Sequence, residues 1–137
     1  MEGAYLDHAA STPARPEVVE AMLPWLADYP GNPSGSHAVA RAARRAIDDA
    51  RDLVAALVGA GPGDVVFTSG GTEADNLAVD GVVRATGGLP ACSAVEHPAV
   101  LAPVADAGGI VVPTDAGGRI DLGALAEVLS AVDGIRL

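Results

Sequence analysis

Short β-branched runs alternate with segments of helical periodicity through the second half of the sequence, and this alternation restricts the possible folds more than any other feature. The predicted strands and helices follow one another in the order 64–68, 72–86, 91–95, 98–106, 109–113 and 121–132, and residues 134–137 have the pattern of a further strand. Strand–helix–strand units at this spacing form right-handed crossovers and parallel sheets. The sequence therefore predicts an α/β fold, with a largely parallel sheet and flanking helices.

The first half of the sequence is predicted to be mainly helical. Residues 14–30 have the pattern of a short helix that is interrupted or kinked at Pro24, because proline has no N–H to donate. The Gly, Asn-Pro and Ser-Gly signals of residues 31–37 predict a loop. Apolar residues at spacings of three and four predict a long helix over 38–60, which ends at glycines.

Two glycines and a threonine, Gly70, Gly71 and Thr72, stand between a predicted strand and a predicted helix. The start of a helix has unpaired N–H groups and a partial positive charge, so this turn is suited to binding a phosphate. A tight turn with Thr72 as the N-cap and Asp75 three residues later explains the same residues equally well. The turn lacks the lysine of a phosphate-binding P-loop and the glycine spacing of a dinucleotide-binding site.

His97 is the second candidate functional residue. It follows the predicted strand 91–95 directly, and Pro98 is suited to the first position of the next helix. A lone histidine at a strand end is more often structural than functional. Gly71 and Thr72 are also predicted at the carboxyl end of the sheet, where open α/β sheets bind their ligands, and two polar groups at one edge favour a functional site.

The charge and composition of the chain exclude several classes of function. A net charge of −10 and the absence of a basic cluster argue against nucleic acid as a partner. No apolar run approaches the length of a membrane span, and the N-terminus does not have the pattern of a signal peptide. A single cysteine, Cys92, suits a reducing cytoplasm, and we predict no metal site.

Four blocks of the sequence together resemble a known family. They are "YLDHAASTP" at 5–13, "GNPSGSH" at 31–37, "VVFTSGGTEADNLAV" at 65–79 and "VEHPAV" at 95–100. In this order and at this spacing they resemble the N-terminal part of a cysteine desulfurase, a pyridoxal-phosphate enzyme of the class V aminotransferase group with the fold type I architecture. The match is specific to the group and less so to the desulfurase reaction, because the residues that decide the reaction lie later in the family's chain.

The resemblance implies a function and roles for three residues. Gly71 and Thr72 match the family's phosphate-binding turn, and His97 matches the histidine that stacks on the cofactor ring and assists proton transfers. The family removes sulfur from L-cysteine, gives L-alanine, and passes the sulfur to an acceptor protein for iron–sulfur or thio-cofactor assembly, as a homodimer. By the same resemblance, residues 1–36 form an N-terminal segment with a short helix and a loop at the rim of the site, and 37–137 form part of the cofactor-binding domain.

Further residues match family positions without an assigned chemical role: Asp7, His8 and Ser11 in the N-terminal motif, Asn32 and His37 in the rim loop, and Glu73 and Asn76 in the helix after the phosphate turn. The last two are expected to cap and pack.

The chain departs from the family at the residues that complete the chemistry. All eight of its basic residues are arginines, so it has no lysine to form the Schiff base with pyridoxal phosphate. Cys92 lies in a predicted buried strand and does not match the family's sulfur-accepting cysteine. The ending "GIRL" lies inside an apparent strand, from which we expect a truncated chain, inactive alone.

Two alternatives to a cysteine desulfurase stay open. Another class V enzyme, such as a selenocysteine lyase or an aminotransferase, shares the same blocks. A non-catalytic α/β module that binds phosphate or mediates oligomerisation is the other alternative. The absent lysine leaves open whether the chain takes part in catalysis at all.

Overall fold

The computed structural model describes residues 3–131 and the backbone of residues 135 and 136. The chain forms two compact units, of which the first ends at Val66 and the second begins at Phe67. The domain boundary that the family resemblance implies, between residues 36 and 37, does not coincide with this division and stays a prediction.

The first unit contains two α-helices. Helix α1 (Pro16–Ala27) starts with proline at its first position and continues through Pro24, so the predicted helix is not interrupted at that residue. Helix α2 (Ala38–Val58) matches the predicted helix at 38–60, and it ends at Gly59, whose φ of 71° is left-handed. A single turn of 3₁₀-helix follows at Pro62–Asp64.

In its described residues, the second unit has three helices and a small sheet. Its elements are helix α3 (Gly71–Thr86), strand β1 (Leu89–Ser93), helix α4 (Pro98–Asp106), strand β2 (Ile110–Val112), helix α5 (Leu122–Ala131) and strand β3 (Ile135–Arg136). The strand order is β2-β1-β3, and both pairings are parallel. Thus the predicted parallel sheet with flanking helices is confirmed, and its strands lie within two residues of the predicted bounds, apart from 64–68.

The strand predicted at 64–68 is wrong. Residues 65–68 follow the 3₁₀ turn, and in the described part of the chain they do not belong to a strand. Val66 and Phe67 are 66% and 50% exposed, so this β-branched run does not have the burial of a central parallel strand. A strand needs a neighbour to take its backbone hydrogen bonds, and a run of apolar residues does not specify that neighbour.

The core of the second unit lies where α4 packs against the sheet. Val104 of α4 and Val112 of β2 are almost fully buried, and Ala99 and Ser93 are buried nearby in the same unit. Gly109 is needed at this junction, because a Cβ atom there would overlap the Pro90 carbonyl oxygen. This packing holds α4 against β1.

The last helix is capped at its start by Asp121. One carboxylate oxygen of Asp121 accepts hydrogen bonds from the N–H groups of Gly123 and Ala124 at 2.8 and 3.1 Å, which satisfies two donors at the start of α5. No helix in the described ranges combines the length and the apolar character that a bilayer crossing requires. The same residues contain no group of three or more potential metal ligands.

Candidate functional site

The start of α3 presents free backbone donors. Gly70 is the N-cap residue, it has no side chain to cap the helix, and its carbonyl oxygen accepts the hydrogen bond of the Ala74 N–H. Within the described residues, no group accepts a hydrogen bond from the N–H groups of Gly71, Thr72 and Glu73. We call these three N–H groups, with the Thr72 hydroxyl, the α3 amide site.

The alternative that made Thr72 the N-cap is wrong. The helix begins one residue earlier than predicted, so Thr72 occupies its second position and its hydroxyl does not cap the helix. A residue with helical dihedral angles is turned away from the capping geometry, which needs an extended backbone. The hydroxyl of Thr72 therefore stands beside the amide donors without serving as their acceptor.

Glycine at positions 70 and 71 is not explained by the protein's own packing. A Cβ atom built on Gly70 or Gly71 meets no atom within 4 Å. Neither residue has the positive φ that favours glycine, since Gly70 is extended at 166°. The small residues leave open space directly in front of the α3 amide site.

The turn before α3 is fixed by local hydrogen bonds. The carboxylate of Glu73 accepts the backbone N–H of Ser69 at 2.6 Å, and the Thr68 hydroxyl donates to the Gly70 carbonyl oxygen at 3.1 Å. Hydrogen bonds from the side chain and the backbone of Ser69 lower the pKa of Glu73, so this carboxylate is held ionised. Glu73 therefore has the predicted capping role, and the N–H group that it accepts is that of Ser69, the residue before the N-cap.

His97 is the N-cap of α4, directly after the turn that follows β1, and Pro98 occupies the first helical position as predicted. Its Nδ1 atom accepts the Ala99 N–H at 3.1 Å. A neutral imidazole that accepts at Nδ1 has its proton on Nε2. The exposed ring therefore presents an Nε2–H donor to solvent or to a ligand.

The turn that carries His97 is held by a buried hydroxyl. Ser93, at the end of β1, donates from its Oγ atom to the carboxylate of Glu96 at 2.8 Å. The Ala94 N–H continues the sheet pattern by donating to the Val112 carbonyl oxygen at 2.9 Å. These bonds fix the backbone between β1 and the cap of α4.

Asn76 connects α3 to α4. Its Nδ2 atom donates to the Thr72 carbonyl oxygen at 2.8 Å and to the Ala99 carbonyl oxygen at 3.3 Å. The structure thus brings the predicted residues Gly71, Thr72 and His97 onto two helix starts that share a side-chain link. The sequence indicated only that Asn76 packs, and a contact across 23 positions has no local signal.

Cys92 does not have the environment of a nucleophile. It lies in β1 opposite Val111, and burial together with the nearby Glu96 carboxylate raises the pKa of its thiol. A raised pKa keeps the thiol protonated at neutral pH, whereas the thiolate is the reactive form.

The N-terminal motif makes local contacts within the first unit. The hydroxyls of Tyr5 and Ser11 share a hydrogen bond of 2.8 Å, and His8 Nδ1 lies 3.2 Å from the Thr12 hydroxyl. The Asp7 carbonyl oxygen accepts the N–H groups of residues 10 and 11, which closes a turn.

The predicted rim loop has structural roles in this unit. Asn32 accepts the Ser34 N–H at 2.9 Å, and His37 caps α2 by accepting the Ala40 N–H at 3.3 Å. Both contacts are ones that a loop and a helix start commonly need.

Comparison with known protein families gives a match over almost the whole chain. The family described as Aminotransferase class-V matches residues 4–134. The chain is 49% identical over 102 residues to "Cysteine desulfurase IscS" of Dictyoglomus turgidum, covering 72% of this chain and 26% of that protein. It is 42% identical over 146 aligned positions to "IscS-like cysteine desulfurase" of Mycobacterium tuberculosis, covering 98% of this chain and 37% of that protein.

Comparison with solved structures identifies the same fold. The structure described as "SspA in complex with cysteine" has a TM-score of 0.79 and 33% sequence identity, covering 96% of this chain and 40% of that one. The predicted fold class, the N-terminal portion of a fold type I pyridoxal-phosphate transferase, is confirmed by this likeness. The chain spans about a quarter to two fifths of the length of these relatives.

Proposed function

The chain belongs to the class V aminotransferase family, and from that premise we propose that it carries part of the pyridoxal-phosphate site of a cysteine desulfurase. The observation that carries the proposal is the pairing of the α3 amide site with the exposed His97 ring through Asn76. The names of the relatives at 42–49% identity favour the desulfurase over other class V activities.

The residues at the start of α3 fit the phosphate of this cofactor. The N–H groups of Gly71 and Thr72 are available as donors, and the glycines leave room for an anion to approach them. The positive end of the α3 dipole favours the same charge. We assign phosphate binding to Gly71 and Thr72, with the Thr72 hydroxyl as a further donor.

His97 is the residue suited to stack on the cofactor ring. Its imidazole is exposed, its Nδ1 atom is engaged by the Ala99 N–H, and its orientation is therefore constrained from one side. Proton exchange with a bound molecule is expected at Nε2, the free ring nitrogen. Pyridoxal phosphate, when bound, supplies an electron sink that stabilises negative charge on a substrate carbon.

The covalent part of the chemistry needs residues from outside these 137. The chain has no lysine, so no side chain in it can form the covalent link to pyridoxal phosphate that the family uses. Cys92 is unsuited to accept sulfur because its thiol stays protonated. We infer that the complete enzyme acts on L-cysteine in the cytoplasm, passes sulfur to an acceptor protein and works as a homodimer, and that this chain alone is inactive.

Binding measurements on the purified chain test the proposal. We expect pyridoxal phosphate to bind reversibly, to be removed by dialysis, and to be displaced by inorganic phosphate. Borohydride reduction followed by peptide mapping is expected to leave no adduct on an internal residue, with the N-terminal amine as the separate site to be checked.

Two results would contradict the proposal. Failure of both pyridoxal phosphate and phosphate to bind would favour a non-catalytic module that mediates oligomerisation instead. Production of sulfide and alanine from cysteine well above the rate of the free cofactor would show that this chain needs no residues from elsewhere.

A further inference from the structure

Helix α4 contains a carbonyl group that the helix itself does not satisfy. In an α-helix each carbonyl oxygen accepts the N–H of the residue four positions later. For Ala99 that residue is Pro103, which lies inside α4 and has no N–H. The proline ring also crowds the carbonyl four residues before it and turns that carbonyl away from the helix axis. Ala99 is buried, so leaving its oxygen without a donor would be costly.

Asn76 supplies the donor that Pro103 removes. Its Nδ2 atom lies 3.3 Å from the Ala99 carbonyl oxygen and 2.8 Å from the Thr72 carbonyl oxygen. Both neighbours are acceptors, so the amide must present its NH₂ group to them rather than its oxygen. One side chain therefore joins the first turn of α3 to the first turn of α4.

The link continues on the other side of Ala99. The Ala99 N–H donates to Nδ1 of His97, while the Ala99 carbonyl oxygen accepts from Asn76. Thr72, at the opposite end of the link, belongs to the α3 amide site. The first turn of α3, which carries the proposed phosphate donors, is therefore connected to the His97 imidazole by direct hydrogen bonds through Asn76 and the backbone of Ala99.

We propose that Asn76 is a positioning residue that fixes the distance and orientation between the α3 amide site and the His97 ring. The inference rests on the proposed function, because a cofactor whose phosphate is bound at the α3 amide site requires the His97 ring at a fixed position. Asn76 is half-buried between the two helices and is not expected to touch the cofactor. Pro103 is the complementary part of the device, because it frees the carbonyl that the amide holds.

Variants of Asn76 separate the two hydrogen bonds. A serine in a helix donates to the carbonyl four residues earlier but is too short to reach a neighbouring helix, so Asn76→Ser retains the Thr72 bond and loses the Ala99 bond. Asn76→Asp keeps the shape and removes both donors. Asp80→Asn, four residues later on α3 at an exposed position, is the matched control.

The readouts are phosphate and pyridoxal-phosphate affinity, the ¹⁵N signals of the His97 ring, and the melting temperature. Loss of one neutral hydrogen bond corresponds to roughly a three- to tenfold change in an equilibrium constant. We expect Asn76→Ser and Asn76→Asp to lower the affinity for pyridoxal phosphate by about that factor and to shift the His97 signals. Asn76→Ser is expected to change the affinity for inorganic phosphate less, because inorganic phosphate does not reach His97. Asp80→Asn is expected to leave affinity and signals unchanged.

A second variant distinguishes positioning from simple stabilisation. Pro103→Ala restores an N–H for the Ala99 carbonyl oxygen without restoring the link between the helices. When Pro103→Ala is added to Asn76→Ser, we expect the melting temperature to recover but the affinity for pyridoxal phosphate to stay low. The single variant Pro103→Ala is the reference. Recovery of affinity would overturn the proposal, because Asn76 would then serve only to satisfy a carbonyl.

The remaining outcomes are also decisive. Unchanged affinity and unchanged His97 signals in Asn76→Ser would overturn the positioning role. If the unaltered chain binds neither phosphate nor pyridoxal phosphate, the proposed function fails, and the His97 signals alone then decide the link. In that case a shift of the His97 ring signals in Asn76→Ser supports the link, and unchanged signals overturn it.

Discussion

The carboxylate of Glu73 accepts the backbone N–H of Ser69 at 2.6 Å, so the third residue of α3 is tied to the residue before the N-cap. Between these two residues, the N–H groups of Gly71 and Thr72 have no acceptor among the described residues. The helix start is thus held in shape without its donors being used.

Glu73→Gln is expected to lower the melting temperature near neutral pH. Ser69 lowers the pKa of Glu73 below its ordinary value of 4.5, so the ionised form stabilises the fold. That contribution is complete above the unfolded pKa and is lost as pH falls through the folded pKa. Thermal melts across this range should therefore converge for the two proteins in acid. A difference that does not vary with pH would assign the effect to shape rather than to charge.

Thr72→Val is expected to weaken phosphate binding and leave stability nearly unchanged. The hydroxyl is not the helix cap, so its removal costs the fold little. A hydrogen bond to a charged group is worth roughly 1.5–3 kcal/mol, which sets the expected loss in binding free energy. Titration with phosphate followed by amide signals measures it. Equal affinity in the two proteins would remove Thr72 from the proposed site.

Gly71→Ala is expected to reduce phosphate affinity while maintaining or raising stability. The added methyl meets no protein atom, and alanine is favoured over glycine in a helix by up to about 1 kcal/mol. Gly81→Ala is the matched control, because Gly81 lies inside α3 and also faces open space. Both variants should melt no lower than the original chain. Only Gly71→Ala should affect binding, and equal binding by both would contradict an anion at this turn.

His97→Ala and His97→Asn separate the two roles of the histidine. The imidazole caps α4, and loss of an N-cap costs about 1 kcal/mol. Asparagine is a good N-cap but has no ring. We expect His97→Asn to retain the melting temperature that His97→Ala loses, and both to bind pyridoxal phosphate more weakly than the original chain. Full affinity in His97→Asn would exclude a ring contact.

The purified chain is expected to self-associate through apolar surface. Helix α1 has no buried residue, and Met22, Leu23 and Leu26 are 50%, 54% and 75% exposed. Apolar contacts act at short range, whereas the repulsion from a net charge of −10 is screened beyond about 10 Å at ordinary salt. Light scattering should show association that increases with salt and decreases in Leu26→Glu. A monodisperse monomer with a sharp melt would contradict this expectation.

The helices were predictable because their apolar spacing is a local property. The bounds of α2, α3 and α4 agree with the sequence prediction to within two residues, and His97 and Asp121 stand at the predicted helix starts. Periodicity and capping depend on neighbouring residues only, so one sequence carries the signal.

The errors arose where structure depends on distant partners. Residues 65–68 have the composition of a strand, but they do not form one in the described part of the chain. Asn76 was expected only to pack, because the carbonyl that it holds becomes free through Pro103, on another helix. A proline inside a buried helix implies an unsatisfied carbonyl four residues earlier, and this was the one signal in the sequence that could have directed attention to such a donor.

The strand order β2-β1-β3 has a consequence for assembly during translation. The chain is synthesised from its N-terminus, and closing a short loop costs less entropy than closing a long one. β2 follows β1 after α4 alone, whereas β3 follows only after α5 as well. Pairing of β1 with β2 is therefore expected first. Asn76, Ala99 and His97 all precede β2, so both helix starts can be brought together while ribosomes are still adding the residues of the opposite sheet edge.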